Sequence, residues 1–221
     1  MLLVLSGKTC SGKTTVQEKL MKEFGCRKIV TYTTRPMRPG EKDGETYNFL
    51  SEEEFFKKRE EGFFLETAEY NTLVDNVPAT WYYGSAKEDF AKASASDDIY
   101  VIILQQAGLG ALKQTDIPYT AVYLEVSDET ILARQSGRND NETEAKRRIA
   151  ADREAFIGIG DLVDATVTVD DVGVEEAARL VLNVAGCLTA YRRTHSPSEI
   201  KSGGRMSFSL CGGLYAMKEV S

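Results

Sequence analysis

The chain has 221 residues, a length that fits one globular domain of the larger sort with a core of its own. Its 34 acidic and 27 basic residues give a formal charge of −7, which gives no support to unspecific nucleic-acid binding and requires that any anionic partner meet a local basic cluster. The only histidine, His195, argues against Ser-His-Asp hydrolysis and multi-histidine metal sites. The four cysteines form no CxxC pair, so neither a zinc site nor a redox centre is expected.

The first predicted elements are a strand, a loop and a helix. Residues 2–5 form a continuous apolar run followed closely by a glycine, which is typical of a strand buried on both faces. Residues 14–24 place Val16, Leu20 and Phe24 on one stripe of a helix. The apolar start is too short for a signal sequence, and the longest later run, 99–104, has six residues. We therefore expect no export signal, no membrane span and a cytoplasmic location.

The chain then alternates between predicted strands and helices up to about residue 190. Ser51 and Glu54 belong to a capping box that starts a short helix, which Gly62 ends. Ser127 is a predicted helix N-cap. Further strands are predicted at 99–104, 121–126 and 165–169, and further helices at 141–156 and 174–188. This alternation predicts a mostly parallel α/β sheet.

Residues 191–221 differ in composition from the rest of the chain. Beyond Ala190 the chain is rich in Arg, Ser, Pro, Lys and Gly up to Arg205, which is typical of a linker. Residues 206–210 alternate strictly, and Gly212 and Gly213 would turn the chain into a second strand ending near Met217. Two interpretations stay open: a hairpin used in homodimer contacts, and a poorly ordered extension.

Residues 7–14 read GKTCSGKT, a G-x-x-x-x-G-K-T phosphate loop (P-loop) between the predicted buried strand and the first helix. Its glycines let backbone N–H groups turn inward around phosphate oxygens, and the helix N-terminus adds partial positive charge. Lys13 would reach the β- and γ-phosphate oxygens, and Thr14 would ligate Mg²⁺. The sequence therefore predicts a nucleoside triphosphate site made of Gly7, Lys8, Thr9, Cys10, Ser11, Gly12, Lys13, Thr14 and Thr15.

A second motif follows at residues 30–49, which read VTYTTRPMRPGEKDGETYNF. It places Arg35, Arg38 and Tyr47 close together in a loop rich in turn residues. Two guanidinium forks and a phenol can hold one phosphate dianion. The alternative is a solvated charged loop.

The pattern TTRxxRxGExDGxxYxF directly downstream of a phosphate loop resembles the guanylate kinase family. The resemblance continues through the stretches at 64–66, 82–85, 136–138, 146–148 and 167–169, and it covers about residues 2–185. It implies an α/β fold of the P-loop nucleoside triphosphate hydrolase type, a parallel sheet flanked by helices. The implied domain spans 1–190, with a monophosphate-binding subdomain at 32–85 and a lid region at 128–150, and leaves 191–221 as a C-terminal extension.

The resemblance also implies roles for individual residues. The lid and neighbouring arginines, which are Arg134, Arg138 and Arg148, would close over the transferring phosphoryl group. Together with Lys13 and Arg35 they would form the catalytic set. The GMP-binding set comprises Arg35, Arg38, Glu41, Tyr47 and Tyr83 around the phosphate and Thr31, Glu66, Ser85 and Gln105 around the base. Taken singly, each lid arginine also fits a solvated helix face with i,i+4 ion pairs.

Three departures from the family pattern leave the base specificity open. Ile103 and Gln105 stand where the family carries acidic residues, which puts support of the metal and recognition of the guanine amino group in doubt. The chain is longer between Glu66 and Tyr83, where an added loop would reshape the base pocket. Asp170 stands where an asparagine often contacts adenine.

The favoured hypothesis is an enzyme of purine nucleotide metabolism, a transferase that uses ATP with Mg²⁺ to phosphorylate GMP or dGMP. Its partners would be ATP and a nucleoside monophosphate, without nucleic acid or membrane. One alternative is a non-catalytic guanylate kinase-like module that binds a partner protein. The other is a monophosphate kinase with shifted base specificity.

Overall fold

The structure, a computed structural model, describes residues 1–74, 77–136, 142–194, 205–211 and 214–220. In these residues the strands are β1 (Leu2–Ser6), β2 (Arg27–Lys28), β3 (Tyr32–Thr33), β4 (Asn48–Phe49), β5 (Phe64–Val74), β6 (Val77–Ala86), β7 (Tyr100–Ile103), β8 (Thr120–Glu125), β9 (Ala165–Thr168), β10 (Arg205–Cys211) and β11 (Leu214–Val220). The helices are α1 (Lys13–Phe24), α2 (Glu52–Glu60), α3 (Lys87–Ala95), α4 (Gln106–Lys113), α5 (Asp128–Ser136), α6 (Glu142–Ala155) and α7 (Val174–Thr194). A short 3-10 helix spans Ile159–Asp161.

The main sheet confirms the predicted parallel α/β fold. Its strand order is β11-β10-β9-β8-β1-β7-β2, and every pair is parallel except β10 with β11. β1 lies between β8 and β7, so both of its edges are hydrogen-bonded. Its five residues are all buried, as the continuous apolar run predicts.

The two faces of the main sheet are covered by different helices. Alternate residues of β1 point to opposite sides, so Leu3 packs in one core cluster with Leu20 of α1, and Val4 packs in the other with Phe90 of α3 and Leu109 of α4. This arrangement leaves the loops at the carboxyl ends of the parallel strands free for ligands, as open α/β sheets generally do.

A smaller sheet has the order β4-β3-β6-β5 and carries α2. The predicted capping box is present: Ser51 Oγ accepts from the Glu54 amide at 3.2 Å, and Glu54 accepts from the Ser51 amide at 2.9 Å. Phe55 of α2 stacks on Phe64 of β5, with ring centroids 4.7 Å apart. This packing fixes the strand that carries Glu66.

The stretch between Glu66 and Tyr83, expected from the sequence to hold an added loop, forms paired strands instead. β5 and β6 form a long antiparallel hairpin, paired from Glu66 with Ser85 out to Val74 with Val77. Both strands are rich in β-branched and aromatic residues, which favour extended pairing.

The C-terminal residues extend the main sheet. β10 pairs in parallel with β9, with Met206 opposite Ala165 and Phe208 opposite Val167, and β11 folds back on β10 from Cys211 opposite Leu214. The hairpin interpretation of the tail therefore matches the backbone in the described residues. α7 runs to Thr194, farther than predicted. No helix among the described residues is long and apolar enough to cross a membrane.

Candidate active site

The phosphate loop leaves β1 at Ser6 and enters α1 at Lys13, between the strand and helix that the motif requires. A Cβ at Gly7 would lie 2.7 Å from the Leu124 carbonyl oxygen, so only glycine fits there. Gly12 at the helix N-cap has a φ of 89°, in the left-handed region that favours glycine. Cys10 adopts a left-handed φ of 60° without being glycine. The two motif glycines thus serve the turn that the loop needs.

Lys13 folds back over its own loop. Its Nζ donates to the carbonyl oxygens of Gly7 and Lys8 at 2.7 and 2.6 Å and to Ser11 Oγ at 3.3 Å. Burial lowers the pKa of Lys13 to about 8, against the opposing effect of the Asp152 carboxylate. The ammonium group therefore lies within the loop, engaged by neutral oxygens that a phosphate group would have to replace.

A carboxylate that sequence reasoning missed reaches the phosphate loop from α6. Asp152 accepts from the Thr9 amide, with Oδ2 2.6 Å from the nitrogen. A second carboxylate, Asp128, also binds the phosphate loop: it accepts from Lys8 Nζ at 3.0 Å and from Arg153 Nε at 2.9 Å. The hydrogen bonding from Arg153 is the main cause that lowers the pKa of Asp128. Because Asp128 and Asp152 lie over a hundred positions from their partners in the loop, no local pattern announces these contacts.

Arg134 braces the loop and borders a cavity. Its guanidinium donates to the carbonyl oxygens of Cys10 and Val169 at 3.0 and 2.8 Å. The neighbouring cavity of about 250 Å³ is walled by Arg134, the loop and apolar residues that include Val172 and Ala177. A flat aromatic base bordered by a guanidinium suits such walls.

The remaining residues predicted to act on ATP are two lid arginines and the metal-binding Thr14. Arg138 lies outside the described residues, and at Arg148 of α6 only the backbone is described. Thr14 lies exposed in the first turn of α1. No cluster of three or more His, Cys, Asp or Glu side chains in the described parts of the chain could hold a metal ion. The exposed hydroxyl of Thr14 fits Mg²⁺ that is bound largely through phosphates.

Among the residues predicted to bind the nucleoside monophosphate, which is the phosphoryl acceptor, Arg35 is buried and a carboxylate orients its guanidinium. Its Nη2 donates to Glu41 Oε1 at 2.7 Å, and Glu41 Oε2 accepts from the Arg38 amide, also at 2.7 Å. The hydrogen bond from Arg35 is the first cause that lowers the pKa of Glu41. The guanidinium carbon lies 5.4 Å from the Tyr47 ring, and the Tyr47 and Tyr83 rings are 6.0 Å apart. The structure thus brings together most of the residues predicted to bind the phosphate of the monophosphate, with Glu41 engaged by Arg35.

On the base side, Glu66 accepts from Ser85 Oγ at 2.6 Å. Burial raises the pKa of Glu66, because the charged form loses solvation. The first turn of α4 lies directly against Glu66, since a Cβ at Gly108 would approach Glu66 Cγ to 3.3 Å. Thr31 precedes β3, and its carbonyl accepts from the Asn48 amide at 2.9 Å.

Gln105 forms a side-chain hydrogen bond with Tyr70, a residue that is not among the predicted site residues. Its Nε2 donates to the hydroxyl of Tyr70 on β5, which links the small sheet to the end of β7. Neither the phosphate-loop motif nor the downstream arginine motif contains a signal for Tyr70.

The comparisons with known proteins agree with this geometry. The guanylate kinase family model matches residues 1–181. A guanylate kinase of Symbiobacterium thermophilum is 30% identical over 200 residues, which cover 85% of this chain and 91% of the relative. One of Helicobacter pylori is 36% identical over 160 residues, 69% and 72% of the two chains. The crystal structure of guanylate kinase from Anaplasma phagocytophilum, 20% identical, aligns with a TM-score of 0.56 over 87% of this chain and 86% of that one, which shows the shared fold. The chain belongs to the guanylate kinase family.

Proposed function

We propose that this protein transfers the γ-phosphoryl group of ATP to GMP or dGMP, giving ADP and the diphosphate. The observation that carries the proposal is an intact phosphate loop, with Gly7, Gly12 and Lys13 in place, in a chain that belongs to this family. The buried Arg35, which follows β3, and the half-buried Glu66 of β5 supply a cation for a phosphate and an acceptor for a base.

The acceptor residues would position the monophosphate. Arg35 presents a guanidinium that Glu41 holds in one orientation, so a phosphate dianion meets a preformed fork. Arg38, Tyr47 and Tyr83 would complete the phosphate site. Around the base, the acceptors and donors would come from Thr31, Glu66, Ser85 and Gln105.

The donor residues would neutralise charge on the transferring group. Lys13 would exchange its loop carbonyl partners for phosphate oxygens, and Arg134, Arg138 and Arg148 would add positive charge as the lid region closes. Mg²⁺, bound with ATP and held by Thr14, would supply charge neutralisation on the phosphates. No general base is required, because a phosphate monoester loses its second proton near pH 6, roughly.

The two alternatives have less support. A binding module has no need of a loop in which close packing at Gly7 and a left-handed φ at Gly12 both favour glycine and in which Lys13 is partly buried among loop carbonyls. A shifted base preference has less support, because the half-buried Glu66 offers a hydrogen-bond acceptor that suits the N–H donors of guanine. A cytoplasmic location and a homodimer through residues 191–221 stay predictions.

The test is ADP release in a coupled assay with GMP, AMP, CMP and UMP as acceptors. We expect release that depends on GMP and falls by about a thousandfold in Lys13→Ala. Lys19→Ala is the matched control, since Lys19 lies on α1 in an ion pair with Glu23. Release that needs no monophosphate, or wild-type turnover in Lys13→Ala, would refute the proposal.

A further inference from the structure

The pleat of the β5–β6 hairpin places Tyr70 on the face of the acceptor pocket. Glu66 lies opposite Ser85 and Tyr70 opposite Trp81, and alternate residues of a strand share a face, so Tyr70 and Glu66 lie on the same side. The Tyr70 ring meets the Tyr83 ring edge-on, with centroids 5.2 Å apart. Tyr70 exposes 44% of its surface, so it borders an opening and is not a core residue.

Tyr70 is joined to the main sheet through Gln105. Nε2 of Gln105 donates to the Tyr70 hydroxyl. Gln105 occupies the N-cap position of α4, but its side chain makes no capping hydrogen bond there. Because Nε2 is engaged by Tyr70, the carbonyl oxygen at the other end of the amide is the end left for a ligand.

Glu66 supplies a second acceptor beside that amide. Burial and then the charge of Glu66 raise the pKa of the Tyr70 phenol, so the carboxylate lies within electrostatic reach of the hydroxyl. The contact of Glu66 with α4 at Gly108 keeps it next to the helix that Gln105 begins. Guanine presents adjacent N–H donors at N1 and at its 2-amino group, hypoxanthine lacks the amino group, and adenine has an acceptor at N1.

We propose that Tyr70 is a positioning residue, which holds the Gln105 amide with its carbonyl oxygen available beside Glu66 so that paired acceptors select the paired donors of guanine. The inference rests on the proposed function and adds a determinant that its base site needs. An unrestrained glutamine amide turns either end to a ligand and serves a donor or an acceptor equally well. In the structure the phenol oxygen accepts from Nε2, and this hydrogen bond favours the orientation that leaves the carbonyl oxygen available.

The test is Tyr70→Phe, which keeps the ring and removes the hydroxyl. We expect the ratio of kcat/KM for GMP over IMP, the hypoxanthine nucleotide, to fall about threefold to tenfold. The change should lie in KM for GMP, with kcat and KM for ATP unchanged. Tyr82→Phe is the matched control, because Tyr82 packs on Phe55 and Phe56. Its GMP-over-IMP ratio should equal that of the wild type.

A double-mutant cycle separates positioning from packing. If Tyr70 acts through Gln105, adding Tyr70→Phe to Gln105→Ala has no further effect on the ratio. An additive double mutant, an equal loss for GMP and IMP, or an unchanged ratio in Tyr70→Phe each overturns the inference while GMP phosphorylation stands. A wild-type protein that phosphorylates neither nucleotide overturns the proposed function, and this inference with it.

Discussion

Replacing Asp152 with asparagine tests whether the phosphate loop carries an internal anion that competes with ATP. Asp152 Oδ2 lies 2.6 Å from the Thr9 nitrogen, on an amide of the loop that the motif reserves for phosphate. The substituted asparagine would still offer a carbonyl oxygen to Thr9, so the hydrogen bond survives and only the charge is lost. We therefore expect Asp152→Asn to bind ATP more tightly.

The magnitude follows from the geometry. An amide binds a phosphate oxygen at about 2.9 Å, so phosphate on neighbouring amides would lie about 6 Å from the carboxylate, where two unit charges repel by roughly 3 kcal/mol at an effective dielectric constant near 20. Asp152 is partly exposed, and solvent screening reduces this to about 1 kcal/mol, or roughly fivefold in Kd.

The assay is calorimetric titration with ATP near pH 7 without a monophosphate, which separates triphosphate binding from completion of the acceptor site. Glu154→Gln, an exposed carboxylate on the same helix, controls for net charge. The gain should shrink at high salt, because it is Coulombic. Unchanged or weaker ATP binding in Asp152→Asn would refute the reasoning and show that Asp152 supports the loop.

Three further predictions concern protonation and backbone conformation. The pKa of Lys13 is lowered to about 8 in the free protein and phosphate favours the ammonium form, so ATP binding above that pH should take up a proton. Calorimetry in buffers of different ionisation enthalpy measures this proton uptake. Equal uptake by Lys13→Met would contradict the assignment. Burial raises the pKa of Glu66, so GMP affinity should fall as the pH is lowered through that raised value. Glu66→Gln should bind GMP about tenfold to a hundredfold more weakly at neutral pH, and its GMP affinity should lose this pH dependence. A wild-type pH profile of GMP affinity in the variant would count against a role of Glu66 in binding the base. The left-handed φ of 60° at Cys10 should make Cys10→Val about 1–2 kcal/mol less stable to urea than Cys10→Gly, and equal stabilities would show that the backbone is unstrained.

The phosphate loop and its flanking elements were predictable because their determinants are local. A run of apolar residues marks β1, two glycines mark the turn, and Lys13 follows at fixed spacing. The caps at Ser51 and Ser127 were likewise predictable, since the partner amides lie three residues away. Local chemistry at fixed spacing survives any tertiary arrangement.

The rest of the site depends on contacts between distant residues. Asp152 reaches Thr9 across 143 positions and Gln105 reaches Tyr70 across 35, so neither contact is implied by spacing. Asp170, which stands where the family often has an asparagine near adenine, illustrates the same limit, because it accepts from the Ser127 amide and hydroxyl, both at 2.9 Å, across 43 positions. Its side chain stabilises the start of α5.

Three cations of the site are already bound by oxygen atoms of the protein, which bears on how the protein distinguishes its ligands. Lys13 is held by loop carbonyls, Lys8 by Asp128, and Arg35 by Glu41. Each partner removes some of the cost of burying or fixing a charge, and each must be exchanged or shared when a phosphate arrives. A ligand with few charges gains little from that exchange, whereas a triphosphate with Mg²⁺ replaces the neutral oxygens around Lys13 with charged ones. Arg35 differs, because Glu41 and the Pro36 carbonyl accept from Nη2 and Nη1 and leave other N–H donors of the guanidinium available, so Arg35 would bind a phosphate while its orienting partners stay in place. On the proposed function, the ATP site would therefore select its ligand by charge, since phosphate would displace the loop carbonyls from Lys13, and the monophosphate site would select by geometry, since Arg35 is already oriented.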